Sequence, residues 1–249
     1  MRIGIISDVH SNVHALEAVL KEFDNRGVEK IICLGDMIGL GSRPEESVQL
    51  LKSRQDQLLA VVRGNHEKYL LEALPVYSHN KKTYPKIPQE VLDLFRWNHS
   101  MLSQDSVDFL RQLPLETTVK AAGKKIFCSH YPADVSGTYR EFHFRPNSTQ
   151  CKKMFAGKTG DIFLFGHTHI RCMVKARSGE IYINPGSVGC PIGTEAASVG
   201  ILDIEKGEVK YQQLDVIYDV DYAIDDMLQH SNELPAIDDT VNSFYRNLG

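Results

Sequence analysis

The chain has 249 residues, 42% hydrophobic and 24% charged, a size and balance that suit one soluble α/β domain, with two domains the weaker alternative. A net charge of −4 argues against a nucleic-acid-binding surface. No apolar run approaches the roughly 20 residues that span a bilayer, so a membrane protein is not expected.

The first 65 residues alternate strand and helix. A strand is predicted at 2–7, then an amphipathic helix at about 12–26 with Leu16, Val19, Leu20 and Phe23 on one face. A strand at 30–34, a helix opening near Pro44 after Ser42, and a strand at 58–62 follow. Such a βαβαβ run implies parallel strands with ligands bound beyond their carboxyl ends. Residues 67–113 read as a helical insertion bordering the site, with helices at 69–74 and 91–110 around a basic stretch holding Lys81, Lys82 and Lys86. That stretch is expected to be a solvated face.

From 115 onward the pattern is β, with strands at 115–120, 124–129, 161–165, 171–176, 180–184, 197–204 and 207–214. Turns at Ala122-Gly123, Ser178-Gly179 and Lys206-Gly207 join three hairpins, and these strands are expected to form a second, largely antiparallel sheet stacked on the first. Two short amphipathic helices close the chain. This tail, 219–249, carries seven acidic residues against Arg246, a net −6 that leaves the remainder at +2, and it is a candidate oligomer contact. Five scattered cysteines without a CxxC pair, and no visible secretory leader, predict a reduced, cytoplasmic protein.

Chemistry gathers in five blocks, each directly after a predicted strand: Asp8-Val9-His10, Gly35-Asp36, Gly64-Asn65-His66-Glu67, His130, and Gly166-His167-Thr168-His169. Strand ends would thus deliver imidazole, carboxylate and amide oxygen to one rim. This thiolate-free donor set favours Mn, Fe, Co, Ni or Zn in open sites over a closed structural zinc. Two such ions with Asp8, Asp36 and a bridging hydroxide leave a centre near +1, attractive to phosphate esters. His66 is the spare histidine, able to act as a general acid near neutral pH.

The five blocks resemble the calcineurin-like metallophosphoesterase superfamily, and Asn184-Pro185-Gly186-Ser187-Val188-Gly189 resembles its small bacterial and archaeal phosphodiesterase-like branch. The resemblance runs from Met1 to about Leu214 and implies a four-layer α/β/β/α sandwich of two mixed sheets, here a single domain over 1–249. It implies one metal on Asp8, His10, Asp36 and His169 and another on Asp36, Asn65, His130 and His167. It also implies a metal-bridging hydroxide as nucleophile and His66 as the acid that protonates the leaving oxygen. The expected activity is phosphodiester hydrolysis; a phosphomonoesterase or protein phosphatase, and a non-catalytic scaffold of the same fold, are the alternatives. Gly39 stands where protein phosphatases carry the aspartate that orients this histidine, which tells against that form.

The expected partner is a small phosphate ester, a nucleotide among the candidates. Tyr139, Arg140, His143, Phe144 and Arg145 mix cations with aromatic rings that could contact a base or a second phosphate, and Arg43 could contact phosphate.

Overall fold

The computed structural model describes residues 1–73, 88–134, 137–230, 232–233 and 237–246, so Lys81, Lys82 and Lys86 lie outside the described residues. Ten strands form two mixed five-stranded sheets. The first runs β10 (Glu208–Val216), β9 (Ala197–Glu205), β1 (Arg2–Ile6), β2 (Lys30–Cys33), β3 (Leu58–Val61). The second runs β4 (Glu116–Ala121), β5 (Lys124–Ser129), β6 (Ile162–Leu164), β8 (Ile181–Asn184), β7 (Cys172–Lys175).

The expected largely antiparallel second sheet needs correction. Its centre, β5-β6-β8, is parallel, and only the edge strands β4 and β7 are antiparallel. The β9–β10 hairpin belongs to the first sheet, where β9 lies antiparallel to β1. The Lys206-Gly207 turn dictates that these two strands pair with each other, not which sheet they join. β9 settles that by being buried on both faces: Val199 and Ile201 face the helices, Leu202 and Ile204 the other sheet.

Helix α1 (Val13–Asn25) is capped by Asn12, which accepts from Ala15 N at 3.0 Å, and buries Leu16, Val19, Leu20 and Phe23 against the first sheet. α2 (Pro44–Lys52) opens with proline and has Glu45 and Glu46 in its first turn, as the helix dipole favours. Ser42 does not cap it; its hydroxyl donates to Asp226 instead. The short α3 (Asn65–Lys68) passes into a wide turn at Tyr69–Ala73. The single helix predicted for 91–110 is two, α4 (Gln89–Met101) and α5 (Gln104–Gln112), because Ser103 caps the second by accepting from Ser106 N. α6 (Ser148–Met154) escaped the periodicity argument through its shortness; Asn147 and Gln150 form its capping box. In the tail, α7 (Val220–Gln229) and α8 (Ile237–Val241) pack Ile224, Met227 and Val241 against Leu94 of α4.

The core accordingly divides into layers. Ile3, Ile5, Ile32 and Leu34 meet Ile126, Leu164 and Ile183 between the sheets. Phe127, Phe163 and Tyr182 cover the far face of the second sheet together with Met154 and Phe155. Helix, sheet, sheet and helix follow in that order, and the carboxyl ends of β1, β2, β3, β5 and β6 open on one rim.

Candidate active site

Leaving the strand ends demands an abrupt change of backbone direction. Asp8, His10, Asp36, His167 and His169 all adopt positive φ, between 49° and 69°. Non-glycine residues avoid this region, and its concentration at the candidate ligands marks strain held by surrounding contacts. Positive φ at both His167 and His169 turns their rings to different parts of the rim. The neighbouring glycines make room: a Cβ on Gly64 would lie 1.9 Å from Asp36 Oδ1.

Donor atoms converge in two groups. In one, His10 Nε2 lies 3.0 Å from His169 Nε2, and Asp8 Oδ1 lies 3.4 Å from His169 Nε2 and 3.8 Å from His10 Nε2. In the other, Asn65 Oδ1 lies 2.8 Å from His167 Nδ1 and 3.0 Å from His130 Nε2. Asp36 stands between them, with Oδ2 3.1 Å from His130 Nε2 and 3.9 Å from His10 Nε2. Its Oδ1 accepts the backbone N–H of His66 at 2.9 Å, so Oδ2 is the oxygen that faces both groups. The three-residue sets Asp8–His10–His169 and Asp36–His130–His167 each bring their donor atoms within 4.8 Å of one another.

These residues fit a divalent cation. Asp8 Oδ1 is buried without a hydrogen-bond donor, an expensive state for a carboxylate oxygen that a cation would relieve. The donor set is oxygen and imidazole with no thiolate, as open transition-metal sites prefer. Outer contacts orient the rings: His130 Nδ1 donates to Leu34 O at 2.8 Å and His169 Nδ1 to Cys190 O at 2.9 Å, leaving Nε2 of each for the site.

The electrostatics agree. Burial, with His66 and His169 nearby, holds His10 well below the ordinary imidazole value, and burial together with His130 brings His167 down to about 4. Burial opposes charge on His130, yet Asp36 and Asp8 outweigh it and raise that group to about 10. Burial likewise opposes charge on Asp36, which His130 and His66 nevertheless hold well below the usual carboxylate range. The rim is a concentration of negative charge and free lone pairs that attracts protons where it lacks metal.

His66 belongs to neither of these sets, but a third cluster brings its ring nitrogen within 4.8 Å of donor atoms of His10 and Asp36. Its Nε2 is 3.9 Å from Asp36 Oδ2, and its ring meets His10 edge-on at 4.7 Å and Phe95 at 5.3 Å. Gly39 lies against its other nitrogen: a Cβ there would be 2.3 Å from His66 Nδ1, and Gly39 has φ +135. An aspartate has no space at this position without moving His66.

Four residues to which the sequence assigned no positioning role hold the site together. Glu67, fully buried, accepts from the backbone N–H groups of Asp36, Met37, Ile38 and Gly64 at 2.6–3.2 Å, binding two motif loops to one carboxylate. Burial and the nearby Asp36 push its pKa up to about 7. Asn98, on α4, grips Gly39 from both sides, donating to its carbonyl and accepting from its N–H. Asn184 donates to Gly166 O and Thr168 Oγ1, while Ser187 donates to Asp8 O, so this segment clamps the first and last motifs together. A polar residue on the apolar face of a predicted helix was the available signal for Asn98; for Glu67 there was none beyond its adjacency to His66.

The predicted substrate contacts separate. Arg43 Nε donates to Asp226 Oδ2 at 2.9 Å, and Arg140 donates to the carbonyls of Lys153 and Ala156, so both guanidinium groups are engaged by acceptors of the protein itself. His143 Nδ1 lies 3.3 Å from Gln150 Nε2, and Arg145 is exposed. Aromatic rings, not cations, approach the site: Tyr139 and Phe142 lie 5.2 and 4.7 Å from the His167 ring.

Residues 1–207 match the family model described as the calcineurin-like phosphoesterase superfamily domain. The chain belongs to that superfamily. This phosphoesterase is 33% identical to the uncharacterized protein MJ0912 of Methanocaldococcus jannaschii, across 94% of the chain and 93% of the relative. It is 26% identical to the phosphodiesterase YfcE of Escherichia coli K12, across 82% of the chain and 88% of that protein. The crystal structure of a metallophosphoesterase from Sphaerobacter thermophilus superposes with a TM-score of 0.73 at 25% identity, covering 98% of both chains. The chain is therefore a metal-dependent hydrolase of phosphoric esters. No helix among the described residues is long and apolar enough to cross a membrane.

Proposed function

We propose that this phosphoesterase hydrolyses phosphodiesters with two divalent ions, one on Asp8, His10, Asp36 and His169, the other on Asp36, Asn65, His130 and His167. The observation that carries the reading is the placement of Asp36 Oδ2 between the two donor groups, with the His66 imidazole 3.9 Å from it. When bound, the ions supply Lewis acidity and an activated water at neutral pH.

The chain's own residues do the rest. Asp8 and Asp36 are ionised, and His10 and His167 are neutral with lone pairs available. His66 Nε2 holds the proton that passes to the leaving oxygen. Burial disfavours that charge, and a bound phosphate anion beside the ring favours it, which couples protonation to substrate binding.

Diester preference is supported by the arginines. Arg43 and Arg140 are engaged elsewhere, so neither offers the bidentate grip that suits a monoester dianion. The phosphodiesterase relative supports the same choice. A protein-phosphatase activity is disfavoured by the crowding of Gly39 against His66. All five cysteines are free, which suits a reduced cytoplasmic setting.

The deciding experiment compares bis-p-nitrophenyl phosphate with p-nitrophenyl phosphate, using Mn, Ni, Co, Zn and Mg, for wild type and His66→Ala. Metal-dependent diester turnover that exceeds monoester turnover and falls about 10²–10⁴-fold in the variant is expected. Faster monoester turnover would move the assignment to a phosphomonoesterase; no turnover with bound metal would indicate a scaffold.

A further inference from the structure

The segment after His130 brings aromatic rings together beside a candidate metal ligand. Phe142 lies 4.7 Å from the His167 ring, its plane tilted 31° from it, and is 48% exposed. Tyr139 packs 5.2 Å from His167 and 6.2 Å from Phe142, and no hydrogen bond engages its hydroxyl among the described residues. Tyr131 is buried beneath them and fixes the backbone on both sides of Phe142: its hydroxyl donates to Glu141 O at 3.1 Å and accepts from His143 N at 3.0 Å. Phe142 is thus a half-exposed ring held in place beside a highly polar centre.

Resting on the phosphodiesterase reading above, we propose that Phe142, with Tyr139 at its side, is a base-stacking subsite and that the substrates are nucleotide phosphoesters. The phosphate sits at the donor groups, and the sugar spans the step from His167 outward. The base then lies on the open face of Phe142. Nucleobases suit such a platform because every base has a π-face and stacking needs no charge. Arg140 of the same segment is already bound to two backbone carbonyls. This favours one phosphate with a stacked base over a second phosphate group.

The test is isothermal titration of the Mn-loaded protein with adenosine 5′-monophosphate and with ribose 5-phosphate, which share the phosphate and sugar but carry a base and a hydroxyl, respectively, at C1′. Wild type is expected to bind the nucleotide about tenfold tighter. Phe142→Ala should bring the ratio of the two affinities close to one, and Phe142→Tyr should restore it. A wild-type ratio of one, or a ratio that Phe142→Ala leaves unchanged, overturns the subsite. Turnover of bis-p-nitrophenyl phosphate separates the two readings: if it persists while the ratio is one, only the subsite falls. If turnover and binding of both ligands are absent, the phosphodiesterase reading falls with it.

Discussion

The phenol of Tyr245 donates a hydrogen bond to the backbone carbonyl of Gly189, and Asn12 Nδ2 donates to the same phenol at 3.0 Å. The next carbonyl, Cys190 O, is the one that orients His169. A side chain beyond the 1–207 span of the family match therefore braces the loop behind a candidate metal ligand. Tyr245→Phe keeps the ring and removes only the hydroxyl. We expect metal affinity to fall severalfold, up to about tenfold, with about 1 kcal/mol of stability lost. Calorimetric titration with Mn, alongside thermal melts of the metal-free protein, checks this; unchanged affinity would confine the tail to packing.

Glu67 gathers four backbone N–H groups with one carboxylate. Glu67→Gln places an amide NH₂ where an acceptor is needed, leaving buried donors unsatisfied at a cost of about 2–4 kcal/mol. Glu67→Asp retains the acceptors on a shorter arm and should cost less. Urea denaturation of both variants without metal gives the order directly, and a larger loss in Glu67→Asp than in the isosteric Glu67→Gln would point to side-chain volume as the cause.

Gly39 sits against His66 Nδ1 with no room for a β-carbon. Gly39→Ala is expected to displace the imidazole and cut diester turnover by about 10²-fold, since small misplacements of a reacting group carry large rate penalties. Metal content, measured by elemental analysis, should fall far less than turnover, because the same Cβ presses on His66 at 2.3 Å but only approaches the candidate ligand His10, at 3.0 Å from its Nδ1. Wild-type turnover in this variant would remove His66 placement from the mechanism.

Asp226 is only 5% exposed and accepts from Arg43, Ser42 and His14. Burial opposes its charge, yet these partners, Arg43 foremost, hold its pKa below the usual 3.8. A carboxylate depressed on folding stabilises the native state above its unfolded value, and that contribution is lost as pH falls through the folded value. Asp226→Asn should therefore cost about 1–3 kcal/mol at pH 7, and the deficit should shrink as the pH is lowered below about 4. Paired melts of variant and wild type across that interval measure it; a deficit independent of pH would assign the loss to packing.

Much of the molecule was legible in its residues. The strand ends carry the candidate ligands immediately behind apolar runs, so the β1, β2, β3, β5 and β6 boundaries and the motif positions could be placed together. The hairpins at Ala122-Gly123, Ser178-Gly179 and Lys206-Gly207 formed as their turn residues require. These features are local: alternation, helical spacing and turn chemistry act over a few neighbours. The tertiary structure decided what depends on distant partners. Burial on both faces placed β9 beside β1, where its turn could not. Asp226, 183 residues away, claimed Arg43 from the expected phosphate contact. The helix break at Ser103 is fixed in part by Glu45, which accepts from its N–H and hydroxyl. Phe142 is held beside His167 in part by Tyr131, whose hydroxyl bonds to the backbone on both sides of Phe142. The sequence itself determined which chemistry the rim carries, because ligand type is written in the residues. Packing decided which charged groups remain free to use it, because a buried or paired cation is spent wherever its nearest carboxylate or carbonyl happens to lie.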